Sequence, residues 1–201
     1  MSIKILGGFA RGQILAVPKG DLIRPTSVLL KRRVFDFYQQ MDDVTFVDLC
    51  AGSGAMGFEA WSRGASFIFL NEFNRHVVKT LQENRENAIL KNHHKKTGEI
   101  ICSGTDAVNF IKNFKDKYLE FSNDRRENTV IFLDPPYSEK EIYKTIVKFL
   151  MDEHWFKGQL WIESDRLKGI PYQEWDQFGL KMFKLFEQGD SYIYITNFPQ
   201  T

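Results

Sequence analysis

The chain is poor in the residues that oxidised and metal-bound proteins depend on. Of its 201 residues, two are cysteine and four are histidine. Cys50 and Cys102 lie in apolar, strand-like segments and cannot form the disulfide framework of a small secreted domain. A reduced, cytoplasmic protein is therefore expected. Neither thiol has a His or Lys nearby in sequence to activate it as a nucleophile. His93 and His94 are adjacent in a lysine-containing stretch, and only His76 and His154 remain. That pattern reads as a solvated basic loop, and no metal site is expected. Long apolar runs are also missing, which excludes a membrane-spanning helix, and residues 1–12 do not resemble a signal peptide. Nor is there an excess of one charge. Lys+Arg number 27 and Asp+Glu 26, a formal +1, so bulk charge is not what binds a partner. What is present is a 43% hydrophobic content with 18 phenylalanines, enough for the core of about one domain. The 26% of charged residues is ordinary for a folded chain and argues against disorder.

The charge balance hides an asymmetry. Residues 1–33 hold seven cations (Lys4, Arg11, Lys19, Arg24, Lys31, Arg32, Arg33) against Asp21 alone, a formal +6, so the other 168 residues sum to −5. A basic front end on a mildly acidic body suits a phosphate-rich partner approached by the first segment.

Ile3 to Leu6 and Gln13 to Val17 read as a β-hairpin around a glycine-rich turn. Thr26 or Ser27 is placed to cap a helix reaching about Gln40, with Leu29, Leu30, Val34, Phe37 and Tyr38 as its apolar stripe. From Val44 the pattern changes to alternating strands and helices. Strands are expected at Val44–Leu49, Phe67–Leu70, Glu99–Cys102, Val130–Leu133 and Gln159–Glu163. Helices are expected after the glycine turn and over Asn74–Leu90, Asp106–Phe121 and Glu139–Glu153, with residues 122–128 as a polar loop. Lys181–Phe186 and Tyr192–Thr196 form a terminal hairpin about Gly189 and Asp190. Near-continuously apolar strands separated by helices indicate a parallel sheet covered on both faces. The expected fold is a Rossmann-like α/β sheet that ends antiparallel. It divides into a basic extension over residues 1–40 and a main domain over 41–201.

Two stretches carry chemistry. The first runs from Asp48 through Gly52, Gly54 and Gly57, where a strand turns through glycines into a helix. Glycine permits positive φ and close ligand approach, and the helix N-terminus favours electron-rich atoms. The spacing matches G-x-G-x-x-G, and Glu72 follows Gly52 by 20 residues, so a nicotinamide dinucleotide site and an oxidoreductase are one reading. A carboxylate at Glu72 accepts ribose hydroxyls in either kind of cofactor. Asp48 tilts the choice. A carboxylate there opposes a pyrophosphate but suits the ammonium of an amino-acid moiety, as in S-adenosylmethionine. Asp48 could instead merely cap the turn, Glu72 be an ordinary strand-end acid, and Asp106 a plain N-cap rather than a partner for the adenine amine.

The second stretch is Asp134-Pro135-Pro136-Tyr137 at the end of the fourth strand. Two prolines fix φ and remove two donors, which makes a stiff corner. In an open α/β sheet this corner and the glycine turn share the crevice where strand order reverses. Asp134 and the Pro135 carbonyl can accept both hydrogens of an aromatic amine, and Tyr137 can stack on its ring. A plain structural turn is the alternative. Glu163 ends the fifth strand close by, more simply as a structural acid than as support for the site.

Together, DLCAGSGAMGFEAWSRGAS and FLDPPY resemble S-adenosylmethionine-dependent amino-methylating enzymes. Over nearly its whole length the chain resembles the RsmD-like family of bacterial 16S ribosomal RNA guanine-N2 methyltransferases. The N-terminal marks are Gly7-Gly8, Arg11-Gly12, Val17-Pro18, Arg24-Pro25-Thr26 and Phe35; the core marks include Glu83-Asn84 and Asp106-Ala107. Cys50 stands where the family usually has Phe, Arg32 where Glu is common, Leu29 where Arg is common, and Asn71 in a usually apolar strand. The resemblance implies a seven-stranded methyltransferase sheet and S-adenosylmethionine as cofactor. It implies a cofactor set of Asp48, Ala51, Gly52, Ser53, Gly54, Glu72, Phe73, Asp106 and Ala107. The catalytic set is Asp134, Pro135, Pro136 and Tyr137, and Arg11, Arg24, Thr26 and Lys31 face RNA. The implied reaction is methylation of a guanine N2 amine in small-subunit ribosomal RNA, free or within a partly or fully assembled subunit, by a monomer with no metal and no membrane. The diproline corner by itself also suits adenine-N6 methylation of DNA or RNA.

Overall fold

Strands with almost no polar positions have no face to offer water, and here they stack side by side between two layers of helices. The computed structural model describes residues 3–18, 27–95 and 97–198. A small antiparallel pair, β1 (Ile3–Lys4) and β2 (Ile14–Leu15), comes first, with Ile3 opposite Leu15. There follow α1 (Val28–Phe37), β3 (Thr45–Asp48), α2 (Ala55–Ser62), β4 (Phe67–Asn71), α3 (Arg75–Lys91) and β5 (Glu99–Ser103). Next come α4 (Ala107–Leu119), α5 (Asn123–Glu127), β6 (Thr129–Leu133), α6 (Lys140–Asp152) and β7 (Gln159–Asp165). A 3-10 helix (Tyr172–Phe178) leads into β8 (Met182–Gln188) and β9 (Ser191–Asn197).

The seven-stranded sheet has the order β5-β4-β3-β6-β7-β9-β8. Its first five strands are parallel, and β9 runs antiparallel to both β7 and β8. This is the expected sheet with its antiparallel end. Side chains alternate between two cores. Phe46 packs with Leu30, Val34, Phe58 and Leu81 from α1, α2 and α3. Its neighbour Val47 packs with Ile111, Phe114, Ile146 and Leu150 from α4 and α6. The chain steps outward from β3 to β4 and β5, then returns to β6 on the other side of β3. The connections therefore diverge beyond the ends of β3 and β6 and leave a crevice there.

The described part of residues 1–40 shares the first core, through Ile3, Ile5, Leu15 and Leu30. A buried carboxylate on α2 anchors it. Glu59 is fully buried and accepts hydrogen bonds from the Leu6 and Gly7 N–H groups, each at 2.8 Å. It also forms ion pairs with Lys31 at 3.2 Å and Arg63 at 3.0 Å.

Three details differ from the sequence reading. α1 stops at Phe37, and its N-cap Ser27 makes no side-chain cap bond. Residues expected as a polar loop contain the short helix α5. The Ser122 hydroxyl accepts from Arg125 N–H at its start, and the Arg125 guanidinium lies 3.6 Å from the ring centroids of both Phe67 and Phe121. That cation–π clamp is a tertiary contact with no local sequence signal. The 3-10 helix was not expected either; it forms because Trp175 is fully buried beside Tyr143 and donates to the Tyr192 hydroxyl at 2.8 Å.

Candidate active site

The glycine turn is built by the ends of three strands. Leu49 N–H donates to Phe132 O at 3.0 Å, and Ala51 N–H to Asn71 O at 2.7 Å, so β6 and β4 both hold the chain leaving β3. Gly52 and Gly54 have φ of +54° and +86°, a region closed to most side chains, and Gly54 is the N-cap of α2. A Cβ at Gly57 would come within 2.2 Å of Leu70, so this glycine lets α2 lie close on β4.

Glu72 closes the turn from the side: one carboxylate oxygen accepts from Gly52 N–H at 2.9 Å, the other from Asn74 N–H at 2.8 Å. Each oxygen retains capacity for a further donor. Asn71, fully buried, donates to Leu49 O at 3.1 Å and Thr105 O at 2.9 Å and accepts from the Thr105 N–H and hydroxyl. It thereby ties the glycine turn to the loop before α4. Asp106 does cap α4, accepting from Val108 and Asn109 N–H at 3.0 Å each through Oδ1.

The diproline corner borders the same crevice. Asp48 is paired in register with Phe132, two residues before Asp134. At about 3.3 Å of rise per residue this sets the two acids on adjoining strand ends. The crevice has a volume of about 950 Å³ and is lined by Asp48, Ala51, Gly52, Ser53, Glu72, Phe73, Asp106, Ala107 and all four residues Asp134 to Tyr137. Pro135 is buried, and its carbonyl faces the Tyr143 hydroxyl at 3.0 Å; the same hydroxyl is 2.7 Å from Glu163 O. One hydroxyl hydrogen serves two carbonyls, and the Pro135 oxygen keeps a lone pair for another donor. The Tyr137 hydroxyl donates to Ser191 Oγ at 3.4 Å, which leaves the half-buried ring beside the crevice.

The lining is acidic. Asp48, Glu72, Asp106, Asp134, Glu139 and Glu163 border the crevice, and Lys168 is the one cation lining it among the described residues. Asp48 is 1% exposed and accepts from Cys50 N–H at 3.3 Å. Burial pushes its carboxyl up to about 8 from the ordinary 3.8, with Glu72 and Glu163 adding to the rise against the Cys50 hydrogen bond. Burial likewise raises the Cys50 thiol well above its ordinary range, so this sulfur is no nucleophile. A desolvated carboxyl among other carboxylates calls for a cationic ligand group. The residues present fit S-adenosylmethionine, which carries an ammonium and a sulfonium, and they disfavour a pyrophosphate at Asp48. A second hollow, about 670 Å³, lies at the other end of the sheet around Gly158, Leu180 and Phe198, and none of the described candidate site residues lines it.

Expected cofactor and catalytic positions thus come together, with Gly54 set behind the turn. Of the RNA-facing positions, the two described ones, Arg11 and Lys31, do not border the crevice. Arg11 is exposed in the β1–β2 turn, which docks on the far end of α2 through Phe9 N–H to Ser62 O at 2.8 Å. That is about 12 Å along the helix axis from Gly54. Arg24 and Thr26 lie outside the described residues. Lys31 requires a correction: it is 2% exposed, paired with Glu59 and donating to Lys4 O at 3.1 Å, so it faces inward. Helical periodicity alone could not separate a buried, paired lysine from a surface one.

Sequence reasoning gave no role to three supports of the site: Asn71, noted only as a departure, Asn84, noted only as a family mark, and Tyr143, not noted at all. The Asn84 amide pairs with Ala16 N–H at 2.7 Å and with Ala16 O and Ser53 O at 3.0 Å each. A polar residue at an apolar strand position was the signal for Asn71; Tyr143 gave none.

A match to the family described as Conserved hypothetical protein 95 spans residues 3–183. The chain is 28% identical over 172 residues to the Ribosomal RNA small subunit methyltransferase D of Escherichia coli K12, covering 84% of this chain and 78% of that protein. The solved structure of Escherichia coli yhhF superposes with a TM-score of 0.70 at 22% identity, covering both chains in full. An RNA methyltransferase from Salinibacter ruber, solved with S-adenosyl-L-homocysteine, gives 0.52 at 13% identity over 89% of this chain and 95% of that one. The glycine turn, the acids around it and the diproline corner thus occur on a chain that belongs to the Conserved hypothetical protein 95 family, the RsmD-like S-adenosylmethionine-dependent methyltransferases.

Proposed function

We propose that this protein transfers a methyl group from S-adenosylmethionine to the exocyclic N2 amine of a guanine in small-subunit ribosomal RNA. It acts as a monomer in the cytoplasm, on RNA that is free or already within a small ribosomal subunit. The observation that carries this reading is the shared crevice of the Gly52–Gly54 turn and the Asp134–Tyr137 corner. The name of the Escherichia coli relative supports ribosomal RNA as the substrate class.

When bound, the cofactor supplies a methyl group made electrophilic by a sulfonium. Asp48 holds the amino-acid ammonium, Glu72 the ribose hydroxyls and Asp106 the adenine end, with Phe73 and Ala107 beside them. The amine of a guanine is a poor nucleophile because its lone pair is shared with the ring. Asp134 and the Pro135 carbonyl accept its two hydrogens, which favours a pyramidal nitrogen and aims the lone pair. The same acceptors stabilise the positive charge that grows on nitrogen, and Asp134 takes the proton that nitrogen gives up on methylation. Tyr137 stacks on the base, worth about 1–3 kcal/mol, and the rigid corner supplies proximity and orientation. Tyr143 holds the Pro135 carbonyl in place from behind.

The test is transfer of a tritiated methyl group to small-subunit ribosomal RNA from undermethylated cells, followed by nucleoside mass spectrometry. N2-methylguanosine is the expected product. N6-methyladenosine would move the enzyme to the adenine reading, and absence of label would remove ribosomal RNA as the substrate.

A further inference from the structure

The loop between β7 and the 3-10 helix borders the crevice through Lys168 and carries an exposed apolar side chain at the adjoining position, Leu167. Leu167 is 76% exposed, more than any other large apolar residue described. A single exposed leucine is unremarkable by itself, but this one sits on a loop whose backbone is fixed. Asp165 Oδ1 accepts from Leu167 N–H at 3.0 Å and Lys168 N–H at 2.9 Å, and Gly169 N–H donates to Asp165 O at 2.9 Å. Ser164 Oγ accepts from Ile170 N–H at 3.0 Å. Arg166 is held against the β8–β9 turn by its N–H to Asp190 O at 2.9 Å, its guanidinium to Gly189 O at 2.6 Å and an ion pair with Glu187 at 3.1 Å. Leu167 is left in solvent, and Lys168 lines the crevice beside the diproline corner. The loop is also joined to that corner: Asp165 Oδ2 accepts from Ser191 Oγ at 3.4 Å, and Ser191 Oγ accepts from the Tyr137 hydroxyl at 3.4 Å.

We infer that Leu167 is an RNA-contacting wedge, which fills the gap left in the base stack when the target nucleotide turns into the crevice, and that Lys168 meets the adjoining phosphate. The inference rests on the RNA reading above. A base reaches the corner only by leaving its stack, which costs a few kcal/mol. An apolar side chain inserted between the remaining bases recovers part of that cost, and leucine is one of the side chains able to do so. A rigid loop loses little conformational freedom in the process. The cation beside it is the contact that positions a backbone.

The test compares wild type with Leu167→Ala, Leu167→Met and Leu167→Lys on an in vitro transcript of 16S ribosomal RNA, free and assembled with small-subunit proteins. On the form that wild type methylates, Leu167→Ala is expected to lower kcat/KM by about tenfold, or about 1.4 kcal/mol of barrier. Leu167→Met restores it to within about twofold, Leu167→Lys does not, and S-adenosylhomocysteine affinity by calorimetry is the same in all four proteins. Full activity in Leu167→Ala would overturn the wedge, as would a Leu167→Lys enzyme equal to wild type, because simple backbone attraction would then explain the contact. A parallel loss of S-adenosylhomocysteine affinity would overturn it too, by making the loop a wall of the cofactor pocket. A wild type that methylates neither form ends the RNA reading itself, and the wedge with it.

Discussion

Asp134 and Asp48 are acids on adjoining strand ends with opposite tasks. Asp134 is half-buried in the crevice wall, and in the proposed reaction it accepts an amine hydrogen while charge develops on nitrogen. Asp134→Ala is expected to cut methyl transfer at least about 100-fold, roughly 2.7 kcal/mol of barrier, with S-adenosylhomocysteine affinity little changed. Single-turnover transfer and calorimetry check this, and equal rates would remove Asp134 from the chemistry. Asp48, with its carboxyl pushed up to about 8 by burial, is protonated at neutral pH in the ligand-free protein. Between about pH 4 and pH 8 the folded chain holds a proton there that the unfolded chain has lost. This group's contribution to ligand-free stability is thus fully present below 3.8 and is lost as pH rises through about 8. An ammonium beside Asp48 reverses the preference, so binding releases a proton. S-adenosylhomocysteine affinity should then rise about tenfold per unit between pH 6 and 7.5 and level off near 8. Calorimetry in two buffers of different ionisation enthalpy measures the release; none at pH 7 would break the pairing of Asp48 with the ammonium.

At the scale of elements, α2 carries both the cofactor turn at its start and the anchor for the N-terminal segment at Glu59. Removing one partner of a buried ion pair strands the others, at about 3–5 kcal/mol. Glu59→Ala is expected to lose that much unfolding free energy in urea, because Lys31, Arg63 and two backbone N–H groups lose their acceptor. A loss below about 1 kcal/mol would mean the node is not a determinant of folding. Burial draws the Lys31 ammonium down in pKa while Glu59 opposes it, so Lys31→Ala should likewise act on stability and leave RNA affinity unchanged. α6 does similar work for the other half of the site, since its Tyr143 joins the diproline corner to the end of β7. Helices that cover the sheet thus also set the crevice, and their buried polar side chains mark where.

At the scale of the whole molecule, charge is divided between a basic front segment and an acidic crevice. The first 33 residues carry a formal +6, and the described residues lining the cavity include six carboxyl residues and one lysine. In the proposed function, such a division lets one region attract a phosphate backbone while the other receives a cationic donor. Replacing Arg11 and Arg24 by glutamine should weaken RNA binding and lower the slope of log affinity against log salt by up to about 2. An unchanged slope, measured by filter binding across a salt series, would take these two arginines out of the interface. No helix among the described residues is long and apolar enough to cross a membrane. The sheet's apolar side chains pack into its two cores.

Much of this was legible in one dimension, for reasons of period and stiffness. Apolar runs of four or five residues between helical stripes specify a doubly covered parallel sheet, because no other arrangement buries both sides of such strands. Glycines at positive φ and a diproline announce local geometry wherever they stand, so both halves of the crevice were visible before any coordinates. Tertiary structure alone decided that Lys31 points inward, that Arg125 makes a helix out of an apparent loop, and that Asn71, Asn84 and Tyr143 support the site. Each of those outcomes depends on a distant partner: Lys4 27 positions from Lys31, Phe67 58 from Arg125, Ser53 31 from Asn84, Leu49 22 from Asn71 and Pro135 8 from Tyr143. Periodicity tells which side of an element is buried, but not which distant group it meets there.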